Sequence, residues 1–487
     1  MLLATVLGSG IAALDATVVN VALPAIGRDF GVGVDGLQWT LNGYLLTLAA
    51  LILLGGSLGD RFGRRRVFTV GVVWFAAASA LCGLAPTLPW LVAARALQGV
   101  GGALLTPGSL AIIQGSFAPP DRAAAIGAWS GLGGVATAIG PFVGGWLVQA
   151  VSWRLIFLLN LPLALVVILV SLRHVPETSD PDAVPTTDGV GAALAALGLA
   201  GTTFALIEAP AQGATSPAIV ASAVVGIAAL LAFVVVEARQ RSPMLPLDIF
   251  ASRQFTGANL VTLAVYAALS GVLFLLSLQL QQVVGYSPLA AGAATFPVTV
   301  LLLLSSRAGR LAQRIGPRLP MTLGPLGAAL GMLLLTRVGA GSSYIGDVLP
   351  AIVVFGLGLS LTVAPLTATV LAAAEARHAG IASAVNNAVA RVAGLLAVSL
   401  LPLLAGLTGD AYRQPAVFSA GFGIAMVLAA GLTTLGAAIA WLTIRNDTAP
   451  SRPGSEDVHC ALDAPPLRSG PVRATPSSPV AGVRPGA

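Results

Sequence analysis

The stretch GSLGDRFGRRR, residues 56–66, separates two apolar runs, and a related stretch, GRLAQRIGPR, lies at residues 309–318. Aligned without gaps, they share five positions: Gly56 with Gly309, Leu58 with Leu311, Arg61 with Arg314, Gly63 with Gly316, and Arg65 with Arg318. One acid is lost, because Gln313 stands where the first stretch has Asp60. Short loops rich in Gly and Arg are common, but the shared register favours a chain built from two repeated halves.

The apolar runs around these loops exclude a water-soluble fold. Of the 487 residues, 56% are hydrophobic and only 9% are charged, and the mean hydropathy is +0.90. Soluble domains carry about 25% charged residues. An apolar run of about 20 residues crosses a bilayer as a helix that satisfies its own backbone. We predict fourteen spans, at residues 2–23, 37–57, 67–86, 89–113, 123–149, 153–173, 189–207, 217–236, 256–281, 288–306, 320–338, 348–371, 380–407 and 417–444.

Span count and repeat together predict an all-α polytopic membrane protein, in which two six-helix bundles flank an inserted two-helix hairpin. Parallel repeats of this kind are typical of alternating-access transporters, whose substrate site lies between the halves. The predicted divisions are a first bundle at 1–173, a cytoplasmic linker at 174–188, the hairpin at 189–236, a second linker at 237–255, a second bundle at 256–445, and a disordered cytoplasmic tail at 446–487.

The arginine distribution predicts the orientation of the chain. All 25 residues counted as Lys or Arg are arginine, and fifteen of them fall in loops on one side of the spans against four on the other. Arg-rich short loops face the cytoplasm, so both termini are predicted to be cytoplasmic in a multi-pass protein of the bacterial cell membrane. The net charge of +6 then reflects topology and contact with membrane lipid, and does not indicate nucleic-acid binding.

The chain offers little for metal or redox chemistry. It has two cysteines and three histidines, and none of the histidines lies within an apolar run. We therefore predict no metal site, no cofactor and no enzymatic activity, and we expect a monomer whose partners are a small-molecule substrate and protons.

Four stretches resemble those of a known family: LDATVVNVALPAI at 14–26, the loop at 56–66, RALQGVGGALLTPGSLAII at 95–113, and GPFVGG at 140–145. The run QLQQVVGYSPLAAG at 279–292 agrees with them. Over roughly residues 1–445 the chain resembles the major facilitator superfamily, and within it the fourteen-span drug:proton antiporter branch of the multidrug efflux type. The resemblance implies export of small molecules driven by proton entry, and it names no cargo.

Asp15 is the candidate proton carrier because it is the only acid well inside an apolar span. Counted to Pro24, it lies about 13 Å below the outer edge of the span, at 1.5 Å per residue. A bare charge there costs a few kcal/mol, which favours a carboxyl that is loaded with a proton and unloaded again. The alternative is a structural aspartate capped by Thr17 or Asn20.

Arg95 is the candidate partner of Asp15 in proton coupling, a role that the resemblance also implies. It lies about 8 Å below the outer edge when counted from Trp90, a depth close to that of Asp15. The two can face each other across the bundle, and protonation of Asp15 then releases Arg95. Gln98, one turn along, is a candidate polar partner. The alternative is an arginine that snorkels to the outer headgroups.

Two motifs are candidate gates. In span 5, small residues spaced three and four apart let helices pack closely, and a proline breaks the local hydrogen bonding; the gating candidates there are Gly140, Pro141, Gly144 and Gly145. Plain tight packing is the alternative for these positions. In the first loop, the candidates for a latch on the cytoplasmic side are Asp60, Arg61, Gly63 and Arg64. Simple orientation by positive charge is the alternative for the loop, and Gln313 predicts a weaker second latch.

Arg391 lies near the middle of span 13 with no acid in its own helix, and polar residues at that depth are functional candidates. A structural hydrogen bond to backbone is the alternative. The other candidates for the substrate path, any of which can instead face lipid, are Asn20, Trp39, Asn42, Tyr44, Gln98, Tyr266, Phe274, Gln279 and Asn387. Glu208 is interpreted as an interfacial residue.

The predicted function is proton-driven antiport that exports small amphipathic or lipophilic compounds, in the manner of drug or antibiotic efflux. Within transport, the same motifs serve an exporter of a specific metabolite such as an amino acid, a sugar or a siderophore. From another class, a transporter-like membrane sensor remains an alternative.

Overall fold

The computed structural model describes residues 2–117, 119–179, 187–240, 243–373 and 379–446. Throughout these ranges the regular structure is helical, with no strand among the described residues. Within the described ranges, fourteen helical segments are long and apolar enough to cross a membrane, which confirms the predicted number. The predicted tail beyond Asn446 and the centre of the first linker lie outside the described residues.

The first half of the chain contains the first six spans, the sixth of which is interrupted between its two helices. Its helices are α1 (Leu2–Phe30), α2 (Val34–Phe62), α3 (Arg64–Gly83), α4 (Leu88–Ser116), α5 (Pro119–Ala150), α6 (Leu155–Leu158) and α7 (Asn160–His174). Within this half α1 packs against α4, α5 and α7, and α4 packs against α2 and α3.

The inserted hairpin consists of α8 (Gly189–Gln212) and α9 (Pro217–Arg239), which pack against each other. The second half contains the last six spans: α10 (Arg253–Leu278), α11 (Pro288–Leu302), α12 (Ser305–Ile315), α13 (Arg318–Leu335), α14 (Leu349–Ala372), α15 (Ala379–Leu404) and α16 (Pro415–Thr443). A π-helical turn at Gln279–Val283 prolongs α10, and another at Tyr344–Val348 precedes α14. The hairpin contacts both halves through α8, which lies against α2 and α15.

The repeated loops adopt the same backbone conformation. Gly63 ends α2 with φ of 106°, and Gly316 ends α12 with φ of 88°. Positive φ is a conformation that glycine adopts without steric cost. Each glycine also lies against a residue that follows the last helix of its half, Glu177 in the first and Asn446 in the second. The sequence repeat therefore corresponds to the same kind of glycine turn at the equivalent place in each half.

The predicted end of the first span, at residue 23, is too early. Pro24 does not end the first span, because α1 continues through it to Phe30. Neighbouring helices and local adjustments satisfy the backbone groups that a proline frees in a membrane helix. Asp15 consequently lies near the midpoint of α1, and not within the turns nearest its end.

The two halves meet at one end of the bundle. We call the end where α1 passes to α2 the Gly31 end, and the end where α2 passes to α3 the Gly63 end. Among the described residues, every hydrogen bond between the halves lies between the middle of the helices and the Gly31 end. These bonds run from Gln38 to Val398 and Ser399, Asn42 to Ser399, Ser277 to Asn20, Gln281 to Val21, Leu289 to Gln149, and Tyr412 and Arg413 to Val32.

Candidate functional site

Asp15 is enclosed at the centre of the first half, with 1% of its side chain exposed. Its Oδ2 forms an ion pair with Nη1 of Arg95 at 2.6 Å. Its Oδ1 accepts hydrogen bonds from Gln98 Nε2 at 2.9 Å and from Asn160 Nδ2 at 3.2 Å. Each carboxylate oxygen therefore has at least one donor, which is what a buried charge requires. The predicted caps Thr17 and Asn20 donate instead to backbone carbonyls of α1.

Arg95 points inward, with 1% of its side chain exposed, and does not snorkel to an interface. Its Nη1 also donates to Gln98 Oε1 at 2.6 Å, and its Nε donates to the carbonyl of Thr40 at 3.1 Å. The guanidinium lies over the ring of Tyr44, 4.5 Å from the centroid, where the face of the ring attracts a cation. The arginine is thus held by α2 and by its own helix as well as by the carboxylate of α1.

Sequence reasoning missed the outer part of this network. Ser79 of α3 accepts hydrogen bonds from Gln98 at 3.2 Å and from Asn160 at 2.9 Å, and it donates to the carbonyl of Phe157 at 2.8 Å. Both Ser79 and Asn160 are fully buried. The available signal was a single amide, Asn160, inside an otherwise apolar span. The break between α6 and α7 directly precedes Asn160, so the amide lies at the start of α7.

The first loop is bound to its own half at the Gly63 end. Asp60 pairs with Arg64 one turn later at 2.8 Å, and Arg61 lies over the ring of Phe62. Glu177, which sequence reasoning missed, accepts from the backbone N–H of Arg65 at 3.0 Å. The same carboxylate lies 3.6 Å from the Nε atoms of Arg65 and Arg66. In this conformation the loop contacts the linker after α7, and none of its described hydrogen bonds or ion pairs reaches the second half.

The candidate gating residues of α5 face two different neighbours. A Cβ added to Gly144 would meet Val18 of α1, and one added to Gly140 would meet Thr17, so these two glycines pack within the first half. Gly145, in contrast, lies against the backbone of Pro288 and Leu289 in α11. The carbonyl of Pro141 is similarly close to Gly292 of α11. Gly145 and Pro141 therefore form part of the contact between the halves, whereas Gly140 and Gly144 do not.

Several predicted path residues do not face open space in this conformation. Phe274 and Gln279 are fully buried, and Gln279 donates to the carbonyl of Val338 at 2.7 Å within the second half. Asn42 is buried between the halves, and Trp39 donates to Glu208 of the hairpin at 2.8 Å. Asn20 lines a cavity of about 40 Å³ between the halves.

Four other path candidates lie on three helices that pack together, because α2 and α10 both contact α15. Arg391, halfway along α15, is within electrostatic range of Tyr44 on α2 and Tyr266 on α10. Asn387, one turn before Arg391, is exposed. The structure thus brings polar side chains of both halves together beside the Asp15–Arg95 pair.

Sequence reasoning also missed a pair of acids at the Gly63 end of the hairpin. Asp188 caps α8 by accepting from Gly191 N–H at 2.7 Å, and Glu237 of α9 accepts from Leu245 N–H at 2.9 Å. One oxygen of each carboxyl is buried without a donor, and both lie against Gly191. Burial acts to raise the pKa of Asp188, yet the adjoining Glu237 carboxyl and hydrogen bonds from Gly191 N–H and Gln240 hold it below the ordinary value. The two unpaired oxygens lie beside each other at Gly191, and a proton shared between the two carboxyls would satisfy both.

Two substitutions of Glu237 distinguish a role in sharing a proton from a role in packing alone. We expect Glu237→Gln to leave the melting temperature within about 2 °C of the wild type, because the amide can both donate to Asp188 and accept from Leu245. Glu237→Leu leaves the buried groups unpaired, at a cost of about 1–3 kcal/mol, and is expected to lower the melting temperature clearly. Thermal unfolding of the two purified variants in detergent checks this, and equal melting temperatures contradict it.

A helical bundle of two repeated halves with polar groups buried between them defines a membrane transporter, and the chain belongs to the Major Facilitator Superfamily, whose family model matches residues 5–398. Together with the fourteen apolar helices, this makes it a multi-pass membrane protein of the bacterial membrane.

Individual relatives are similar over most of the chain. The puromycin resistance protein of Streptomyces alboniger is 36% identical over 91% of both chains. The tetracenomycin C resistance and export protein of Streptomyces glaucescens is 33% identical over 84% of this chain and 77% of its own length. Among solved structures, an inward-facing bacterial homologue of the human lysosomal transporter Spinster has a TM-score of 0.65 at 19% identity, over 91% of this chain and 96% of that one. At that identity the likeness shows the fold alone.

Proposed function

We propose that the protein is a proton-driven antiporter that exports small amphipathic or lipophilic compounds, as drug or antibiotic efflux. The observation that carries the proposal is the Asp15–Arg95 ion pair, enclosed at mid-membrane. The relatives named for resistance to puromycin and for resistance to and export of tetracenomycin C support the choice of cargo class. One chain is taken as the working unit, because both halves that border the cleft belong to it.

Asp15 acts as the proton carrier in this account. When its carboxylate is charged, Arg95, Gln98 and Asn160 compensate the charge. When it takes up a proton, the ion pair with Arg95 is lost and the donors from α4 and α7 lose a charged acceptor. Hydrogen bonds to charged groups are roughly twice as strong as neutral ones. Protonation therefore weakens the contacts that join α1 to α4 and α7, which gives the bundle two alternative packings.

The arrangement of the halves supports alternating access. On the arginine count, the Gly63 end faces the cytoplasm. The hydrogen bonds between the halves near the Gly31 end then seal the outer side, as an inward-facing state of the proposed cycle requires. Opening to the outside requires that these bonds break and that Gly145 and Pro141 separate from α11. In that outward-facing state, the loop of Asp60 is expected to latch the inner side.

The proton gradient supplies enough energy for such a cycle. One proton that enters across 100 mV releases about 2.3 kcal/mol, and each pH unit adds about 1.36 kcal/mol. Asp15 is the one titrating group in this proposal, so we expect one proton per cycle. Each 1.4 kcal/mol that the proton supplies supports a ratio of roughly tenfold between the cargo concentrations on the two sides of the membrane.

Everted membrane vesicles test the proposed function directly. Vesicles from an efflux-deficient host are acidified inside by respiration, and a pH-sensitive dye reports their lumen. Puromycin, tetracenomycin C and a set of lipophilic dyes are then added one at a time. We expect at least one compound to dissipate the pH gradient in vesicles with the protein and not in vesicles without it. A transporter-like sensor leaves the gradient unchanged with every compound, and a dedicated metabolite exporter responds only to amino acids, sugars or siderophores added in parallel.

A further inference from the structure

Arg391 is a charge without a partner in the middle of the membrane. It lies halfway along α15 and is half-buried, and its Nε is buried with no hydrogen-bond acceptor. No hydrogen bond or ion pair joins its guanidinium to any other described residue. A structural role for this arginine predicts backbone carbonyls around it, as Thr40 provides for Arg95. No described backbone carbonyl accepts a hydrogen bond from Arg391. Its N–H groups are therefore available to a ligand that enters the cleft.

The groups around Arg391 are also unpaired donors. Tyr44 on α2 and Tyr266 on α10 stand on helices that both pack against α15, and the charge of Arg391 acts on both tyrosines. Neither tyrosine hydroxyl forms a hydrogen bond with a described residue. Two phenolic O–H groups and a guanidinium, contributed by three helices from both halves, therefore offer donors to the same region. A donor-only guanidinium flanked by two hydroxyls that can also donate is complementary to an acceptor that carries negative charge.

The charge balance of the cleft points in the same direction. Asp15 is the acid at mid-membrane among the described residues, and Arg95 already neutralises it at 2.6 Å. Arg391 has no counterion of its own and adds a net positive charge beside this pair. A charge at that depth is costly unless a partner compensates it. The cargo is the group that can supply the compensation each time the cleft is loaded.

We propose that Arg391, Tyr44 and Tyr266 bind an oxyanion on the exported compound, such as a carboxylate or an ionised acidic phenol. The inference rests on the proposed function, because it assigns a substrate class to the same cleft. It narrows the cargo to amphipathic compounds with one acidic group attached to an apolar body.

A matched pair of fluorescent probes tests this assignment: 9-anthracenecarboxylate and its methyl ester, which share one ring system and differ in charge. Binding to the purified full-length protein in detergent is measured by fluorescence anisotropy at pH 7.5. We expect the wild type to bind the carboxylate at least about tenfold more tightly than the ester, the size expected from a hydrogen bond to a charged group.

Variants of Arg391 locate the effect. Arg391→Gln is expected to reduce carboxylate binding to the level of the ester, and Arg391→Lys to retain part of the preference, because the charge remains and the planar fork is lost. Arg337→Gln, which removes an exposed arginine from the same half at the Gly31 end, is expected to bind like the wild type. Unchanged ester binding by Arg391→Gln shows that its cleft is intact.

Two results overturn the assignment. One is a wild type that binds the carboxylate no more tightly than the ester, and the other is an Arg391→Gln variant that keeps the full preference. Neither result contradicts the proposed antiport, because cargo-induced proton movement in vesicles is measured with compounds of any charge. Conversely, a protein that shows the carboxylate preference but moves no protons with any cargo contradicts the antiport and leaves the oxyanion site in place.

Discussion

Asp15→Asn is expected to abolish cargo-induced proton movement in everted vesicles, down to the level of vesicles that lack the protein. The asparagine amide is close in size to the carboxyl and can still accept from Gln98, but it cannot take up and release a proton. The variant resembles the protonated state, in which Arg95 has lost its counterion. Because the transport cycle itself visits that state, we expect the variant to reach the membrane in normal amounts.

Asp29→Asn is the matched control for Asp15→Asn. Asp29 is an aspartate of the same helix that also forms an ion pair with an arginine, Arg154, at 2.7 Å. That pair is partly exposed at the end of α1, where ion pairs contribute little to stability. We expect proton movement by Asp29→Asn to equal that of the wild type. Full coupling in Asp15→Asn, with membrane levels equal to the wild type, removes Asp15 from the role of proton carrier.

Gly145→Val is expected to stop transport by a different route, by preventing closure at the Gly31 end. A Cβ at this position would lie about 2.5 Å from the carbonyl oxygen of Pro288 and 2.8 Å from Cα of Leu289, and these backbone atoms cannot move independently of α11. Overpacking of this kind typically costs about 1–3 kcal/mol. The halves are therefore expected to separate at the Gly31 end, so that the cleft remains open on that side.

Labelling at Ser277 measures this opening. Ser277 is buried between the halves and donates to the carbonyl of Asn20 at 2.8 Å. In a Cys460→Ala background, a Ser277→Cys reporter is expected to react with a membrane-impermeant maleimide several times faster when Gly145→Val is present. Gly133→Val serves as the control in the same helix, because a Cβ at Gly133 meets nothing within 4 Å. Equal labelling and equal transport in both valine variants contradict a gating contact at Gly145.

Much of the fold could be predicted from the sequence because the spans carry their own signal. A lipid-embedded helix must be long and apolar, so each span is visible without knowledge of its neighbours. The repeat of the loops at 56–66 and 309–318 predicted two halves, and the matching positive φ of Gly63 and Gly316 agrees with it. The similar depths of the lone acid, Asp15, and of Arg95 also predicted that the two side chains face each other, and they lie 2.6 Å apart.

The remaining features depend on tertiary contacts that no single span reveals. Ser79 and Asn160 join Asp15 only because α3 and α7 pack beside α1 and α4. Glu177 pairs with the first loop from a linker that looked like a polar spacer. The end of the first span was placed too early because a proline usually ends a helix in water, whereas in a membrane bundle α1 continues past Pro24.

Purified protein reconstituted in liposomes tests the central claim most directly, that protons bound at Asp15 drive export. The lumen is acidified relative to the bath, the membrane potential is clamped with valinomycin and potassium, and uptake of the most effective vesicle cargo is followed. We expect the cargo to accumulate above the bath concentration in wild-type liposomes, and a protonophore or Asp15→Asn to abolish this accumulation. Equal movement of cargo with and without a proton gradient contradicts it.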